Sequence, residues 1–262
     1  MKQLPSWFDF VQGVLSLFLL SCALTATGVK AHDIQVLTTG AYKQMVLAMI
    51  PIFEAQTGHK IRMDNDTAGG LVKRIKAGET FDVLILTPEA LSGLAKAAVV
   101  DPKTIVSIAK VGIGVAVKSG QGPPRIHTVD DFLLALRNAK KVAYIDPASG
   151  GSSGLYLDQL FKSKGWSEIV SAKAVLINGG YVAEALVRGE ADLAIHQISE
   201  IVPVKGATLV GPLPEELQNY TTYAGALSAK SARPQEAQVF LTLLLSAQAA
   251  NLMRDKGMMP LN

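Results

Sequence analysis

The chemistry of this sequence is concentrated in four short stretches of small and hydroxylic residues. They are Thr38, Thr39, Gly40, Ala41; Thr67, Ala68, Gly69, Gly70; Ser149, Gly150, Gly151, Ser152, Ser153, Gly154; and Asn178, Gly179, Gly180, Tyr181. Each follows a short apolar run and precedes a segment of helical period. Small side chains let a ligand reach the main chain, and the first turn of a helix offers unpaired N–H groups and a partial positive charge. Ordinary turn chemistry accounts for any one such corner. Four in one chain point to a small anion held by hydroxyls and backbone N–H groups.

Ionisable and aromatic residues stand beside these corners. Lys43 follows the first. Lys73 and Arg74 follow the second, where they are read as the first turn of a helix, and an arginine grips a carboxylate through two hydrogen bonds. Tyr42, Tyr156 and Tyr181 each come just after a corner, and His196 and Gln197 end a strand. Each has a plain structural reading as well: Lys73 and Lys76 solvated, His196 a satisfied core histidine, Tyr42 and Tyr181 cleft-wall packing. His32, His59 and His127 read as surface residues. Gly151, Ser152, Ser153 and Gly154 do not make a nucleophile elbow, no Lys-Ser/Thr pair completes a phosphate-binding loop, and no His, Asp or Glu cluster has metal spacing, so neither metal nor cofactor is expected.

The elements that must position these residues alternate. Strands are expected at 34–38, 60–63, 81–86, 111–117, 141–145, 172–177 and 192–196. Helices are expected after the first corner (Met45, Met49, Ile50 and Phe53 on one face), from Leu71 to Gly78, at 155–164, at 181–188, and as one long helix at 235–255. The alternation argues an α/β fold with largely parallel sheets, and crossovers between two lobes are expected near 111–117 and 202–214.

The 262 residues are 49% hydrophobic, 18% charged and 6% aromatic, which excludes disorder. A net charge of +3 is too balanced for a nucleic-acid partner. Residues 14–27 are apolar but short for a bilayer span, with Lys2 ahead and Val29, Lys30 and Ala31 as a small-x-small cleavage signal. The expectation is an export signal at 1–31 and a periplasmic protein. Lys2, Asp9 and Lys30 take a net +1 away with the leader, leaving +2. Cys22, the single cysteine, leaves too (it also sits in a loose lipoprotein box), and a cysteine-free chain suits an oxidising space. No apolar stripe suggests self-association, so a monomer without membrane contact after processing is expected.

Isoleucine 34 to Ala41, Thr67 to Gly78 with Phe81, Asp82 and Thr87, and Asp146-Pro147 before Ser152, Ser153 and Gly154 run in an order that resembles the periplasmic molybdate-binding proteins, type II solute-binding proteins of ABC transporters. The resemblance runs from Asp33 to Leu261, and the segment from Ala77 to Asp82 is its specific part. It implies two α/β lobes, each around a mixed five-stranded sheet flanked by helices, with the ligand in the cleft between them. The first lobe would comprise 32–112 and 205–262, the second 113–204. With the corners and their neighbours taken together, Thr39, Gly40, Ala41, Tyr42, Thr67, Ala68, Arg74, Ser152, Ser153 and Gln197 are expected at the ligand. Three positions depart from the pattern: Ala41 and Ala68 stand where serines are expected, and Gln197 where a tyrosine is. A buried oxyanion left without such partners costs about 1–3 kcal/mol each, so a carboxylate is a better guest than molybdate.

The chain is also similar to an enzymatic branch of this scaffold, the aconitate isomerases. That similarity implies interconversion of trans- and cis-aconitate by a 1,3-proton shift, with His196, Lys43 and Tyr181 (and Tyr42 beside them) as proton carriers and no cofactor. The alternative is a non-catalytic binding protein that delivers a carboxylate or molybdate-like oxyanion to an ABC permease. Both readings use the same fold and cleft.

Overall fold

A computed structural model describes residues 32–261; the expected leader, with Cys22, lies outside the described residues. The first half-turn of the chain is β1 (Asp33–Thr39), α1 (Gly40–Thr57), β2 (Lys60–Asp66), α2 (Ala68–Lys76), β3 (Val83–Leu86) and α3 (Pro88–Lys96). A long strand, β4 (Val106–Lys118), leads into α4 (Val129–Asn138), β5 (Val142–Ile145), α5 (Ser152–Ser163), α6 (Ser167–Ser171), β6 (Ala174–Ile177), α7 (Glu184–Arg188), β7 (Leu193–Gln197) and α8 (Ile198–Ile201). The chain closes with β8 (Ala207–Pro212), β9 (Tyr220–Leu227), α9 (Pro234–Leu243), α10 (Ala247–Asp255) and β10 (Met259–Pro260).

Two mixed sheets share β4. Its first half pairs with β9 and β10 beside β3, β1 and β2; its second half pairs with β7 and β8 beside β5 and β6. The first sheet therefore has six strands instead of the expected five, because the two-residue β10 adds to it, and the second has five with β4 counted in both. Pairing is parallel within β2-β1-β3 and within β6-β5-β7, and antiparallel wherever β4 or β9 takes part. The sequence places 205 onward in the first lobe; β8 still hydrogen-bonds to the second half of β4, and the chain rejoins the first sheet with β9.

The local reasons are visible in the residues. All four residues of β3, Val-Leu-Ile-Leu, are buried, as a strand covered by helices on both faces must be. In α1, Tyr42, Met45, Met49 and Phe53 point inward at helical spacing, and Gly58 at φ 72° ends the helix by donating to Glu54 O. The expected helix at 235–255 is two helices, since the Ser246 hydroxyl accepts from Ala249 N and starts α10 afresh. The helix expected from Tyr181 begins only at Glu184, behind Gly180 at φ 80°. His59, expected on the surface, is buried beside Phe53 and accepts a bond from His32 N at 3.4 Å. Asp82, in the family-specific segment, is a tie far from the corners: it accepts from Gln35 N at 2.8 Å and from the Ser231 hydroxyl at 2.6 Å.

One core packs α1 with α9 and α10 against the first sheet, including Phe53 edge-on to Phe240 at 5.3 Å. Another packs α4, α5 and α6 against the second sheet around Phe132, Phe161 and Trp166. Both sheets present the carboxyl ends of their parallel strands to one place, which is where ligands sit in open α/β sheets.

Candidate functional site

At that place lies a cavity of about 110 Å³. A liquid water occupies about 30 Å³ and a drug-sized site about 300–1,000 Å³, so the space suits a compact solute. All four corners line it: Thr39, Gly40 and Ala41; Thr67 and Ala68; Gly151, Ser152 and Ser153; and, at the exposed rim, Gly179 and Gly180.

Three helices begin at its wall: α1 of 18 residues, α2 of 9 and α5 of 12. The first-turn N–H groups of each have no partner within their own helix and carry the positive end of the helix dipole. Thr67 caps α2 in the usual way, accepting from Gly70 N at 3.0 Å. Neither α1 nor α5 has a side-chain cap: the Thr39 hydroxyl makes no such bond, and Gly151 has none to offer. Thr39 is 5% exposed and its Oγ1 is buried with no partner. An unpaired buried hydroxyl at an uncapped helix start is what a bound acceptor would satisfy.

The second feature is a buried ionisable pair. His196 at the end of β7 and Glu200 in α8 are four residues apart, and His196 Nε2 lies 3.3 Å from Glu200 Oε2. Both line the cavity, at 1% and 7% exposure. Burial penalises the charged form of each. It pushes the Glu200 carboxyl up to about 8, against a smaller pull from Lys43, and drops the His196 imidazole to about 3. Near neutral pH the pair is an uncharged imidazole beside a largely protonated acid. Gly40 is fitted to it, since a Cβ there would stand 2.3 Å from Glu200 Oε1.

Behind the cavity, Gln197 Nε2 donates to Thr221 Oγ1 at 2.9 Å and to Ser152 Oγ at 3.2 Å. The Tyr223 hydroxyl reaches Ser152 Oγ at 3.4 Å, and its burial raises its pKa.

Of the residues singled out in the sequence, Thr39, Gly40, Ala41, Thr67, Ala68, Ser152, Ser153 and His196 stand at the cavity wall. The others do not. Arg74 falls in the last turn of α2, not the first, and its guanidinium meets Asp64 at 2.5 Å, Glu79 at 2.6 Å and Asp66 at 3.6 Å. Tyr42 is turned into the core with its hydroxyl unpartnered, and burial raises its pKa. Lys43 Nζ lies 5.6 Å from the centre of the Tyr181 ring, and Tyr181 accepts from Gln44 Nε2. Gln197 supports Ser152 from behind. His196 is not the ordinary near-neutral imidazole its residue type suggests, because it is fully desolvated. Sequence reasoning missed Glu200, Tyr223, Asn65 and Asp66, all of which line the cavity. The spacing His196-Gln-Ile-Ser-Glu200 was a legible signal: two ionisable groups four apart at the end of a strand.

Two α/β sheets sharing one crossover strand, with helix starts converging on a cavity between them, define a solute-binding protein fold. The chain belongs to the family of bacterial extracellular solute-binding proteins, whose model matches residues 34–259. Among characterised relatives, it is 32% identical over 231 residues to the aconitate isomerase of a Pseudomonas species, covering 86% of this chain and 87% of that enzyme. Among solved structures, the Azotobacter vinelandii periplasmic molybdate-binding protein superposes with a TM-score of 0.71 at 17% identity, covering 86% of this chain and 98% of that one. The Mycobacterium tuberculosis H37Rv sulfate-binding protein SubI gives 0.71 at 18% identity, covering 88% of each. These two likenesses concern the fold.

Proposed function

We propose that this protein is a periplasmic aconitate isomerase, converting trans- to cis-aconitate and back in the cavity between its sheets. The observation that carries the reading is the presence of an ionisable pair, His196 and Glu200, inside a cavity otherwise built to receive anions. A protonated carboxyl group in the wall can donate a hydrogen bond to a bound carboxylate, and the same group can release and take back a proton. A site that moves a proton needs a group of this kind. The similarity to a protein named aconitate isomerase supports the choice of substrate.

The bonds of the reaction balance without a cofactor. A proton leaves the methylene carbon, its electron pair spreads over the allylic system into the adjacent carboxylates, and a proton returns at the former alkene carbon. The double bond moves by one position, and the rotamer held during the shift decides whether the product is cis or trans. Donors aimed at the developing negative charge lower the barrier. The first-turn N–H groups of α1 and α5 and the hydroxyls of Thr39, Ser152 and Ser153 are assigned that role. The extracellular family and the leader read at 1–31 support export to the periplasm; the mature chain is assigned as a monomer.

The test is direct. Purified protein is mixed with trans-aconitate and the cis isomer is followed by chromatography. Appearance of cis-aconitate at a rate proportional to protein supports the reading. Saturable binding of trans-aconitate with no conversion replaces it with the carrier of an ABC importer.

A further inference from the structure

We propose that Glu200, rather than Lys43, Tyr181 or His196, is the group that carries the migrating proton, working on one face of the bound substrate with His196 as the residue that positions it. The proposal rests on the isomerase reading above and names the residue that performs its chemical step.

Placement is the first argument. Two carboxyl groups line the cavity. The Asp66 side chain is 36% exposed and lies 3.6 Å from Arg74, whereas Glu200 is 7% exposed and faces no arginine there. Glu200 Oε2 lies 3.3 Å from His196 Nε2. Its Oε1 rests over Gly40, the first residue of α1, where a side chain would collide with it. The carboxyl group is thereby held at the helix start that is to receive a substrate carboxylate, beside the carbon that must lose its proton.

The competing groups are placed less well. Lys43 and Tyr181 are stacked on one another outside the cavity wall. His196 stands at the wall, but its Nε2 is engaged by Glu200 and full burial strips it of basicity near neutral pH. Burial acts the other way on Glu200 and brings its titration close to neutrality, where a proton carrier is most effective in both directions. The groups facing Glu200 from neighbouring elements are His196 on β7, Lys43 on α1, Tyr181 ahead of α7 and Tyr223 on β9. Of these, Lys43 favours the ionised form of Glu200.

In the step, the ionised carboxylate of Glu200 takes a methylene proton; one C–H bond breaks and one O–H bond forms. That O–H, which exchanges with solvent while the carbanion lasts, then delivers a proton to the former alkene carbon, and the carboxylate is restored. No oxidant or second acid is consumed.

The experiment compares the full-length protein, Glu200→Gln and Glu200→Asp, with trans-aconitate in D₂O, reading turnover and deuterium entry into the methylene by NMR and binding by calorimetry. Expected are retained binding by Glu200→Gln, a loss of about 10²–10⁴-fold in kcat and in exchange together, and slow residual turnover by Glu200→Asp. A wild-type kcat/KM profile with a limb near pH 8 is expected independently of either variant. Turnover by Glu200→Gln within the range of the wild type overturns the assignment while leaving the isomerase intact. Absence of the limb overturns it without recourse to a variant. A wild-type protein that neither converts nor exchanges trans-aconitate overturns the isomerase reading and this assignment with it.

Discussion

Gly69 and Gly150 meet across the cleft with no room for a Cβ on either, and Gly69 N donates to Gly150 O at 3.2 Å. Thr67 Oγ1 reinforces the contact by donating to Ser149 O at 2.6 Å. A Cβ on Gly69 would lie 2.9 Å from Gly150 Cα, and backbone cannot swing aside as a side chain can. Gly69→Ala is expected to part the two corners, at a cost of about 1–3 kcal/mol to ligand binding. Each lobe's own core is untouched, so calorimetric titration with trans-aconitate should show weaker affinity while the ligand-free melting temperature changes little.

Thr39 supplies a second separation of binding from stability. Its hydroxyl is buried and unpaired in the ligand-free protein, so Thr39→Val removes nothing the fold uses. The ligand-free melting temperature should hold or rise, while affinity for trans-aconitate falls by about tenfold, the equivalent of one good hydrogen bond at about 1.4 kcal/mol. An unchanged affinity removes Thr39 from the ligand's partners.

Stability should depend on pH through His196 and Glu200. Glu200 stays protonated in the folded chain up to about 8, whereas an unfolded glutamate ionises near 4.5, so its contribution is whole below 4.5 and is lost as pH rises through 8. His196 stays neutral down to about 3, whereas an unfolded histidine takes a proton near 6.5, so its contribution is whole above 6.5 and is lost as pH falls toward 3. The two opposing slopes cancel between 4.5 and 6.5, where the pair leaves the ligand-free protein most stable. From 6.5 to 8 its stability should fall by about 1.4 kcal/mol per pH unit. Urea denaturation across that window should show the slope in the wild type and a flatter line in Glu200→Gln.

Arg74 tests the boundary of the site. It ties α2 to the end of β2 through Asp64 and Glu79, and those carboxylates hold its guanidinium pKa above the ordinary value. Arg74→Met should lower stability by about 1 kcal/mol, as loss of a partly exposed ion-pair cluster does. Affinity for trans-aconitate should be unchanged, and a drop would return the arginine to the ligand.

The sequence by itself determined the α/β class, the two lobes and the four corners, because these follow from local causes: apolar runs of strand length, helical spacing such as Met45, Met49 and Phe53, and small residues at strand ends. Local rules also misjudged β9, Tyr-Thr-Thr-Tyr-Ala-Gly-Ala-Leu, and the first half of β4. The Ala-Gly-Ala of β9 is weak strand sequence; β9 is held by pairing with β3 on one side and with the first half of β4 on the other. The charge states of the ionisable groups at the cavity were decided by tertiary structure alone. Nothing in the one-dimensional order says that Arg74 is spent on its neighbours, that Tyr42 turns inward, or that Glu200 is desolvated against His196 over the bare Cα of Gly40. Burial and mutual distance set the charge state of an ionisable group, and both come into being only when β1, β7 and the helices that follow them converge.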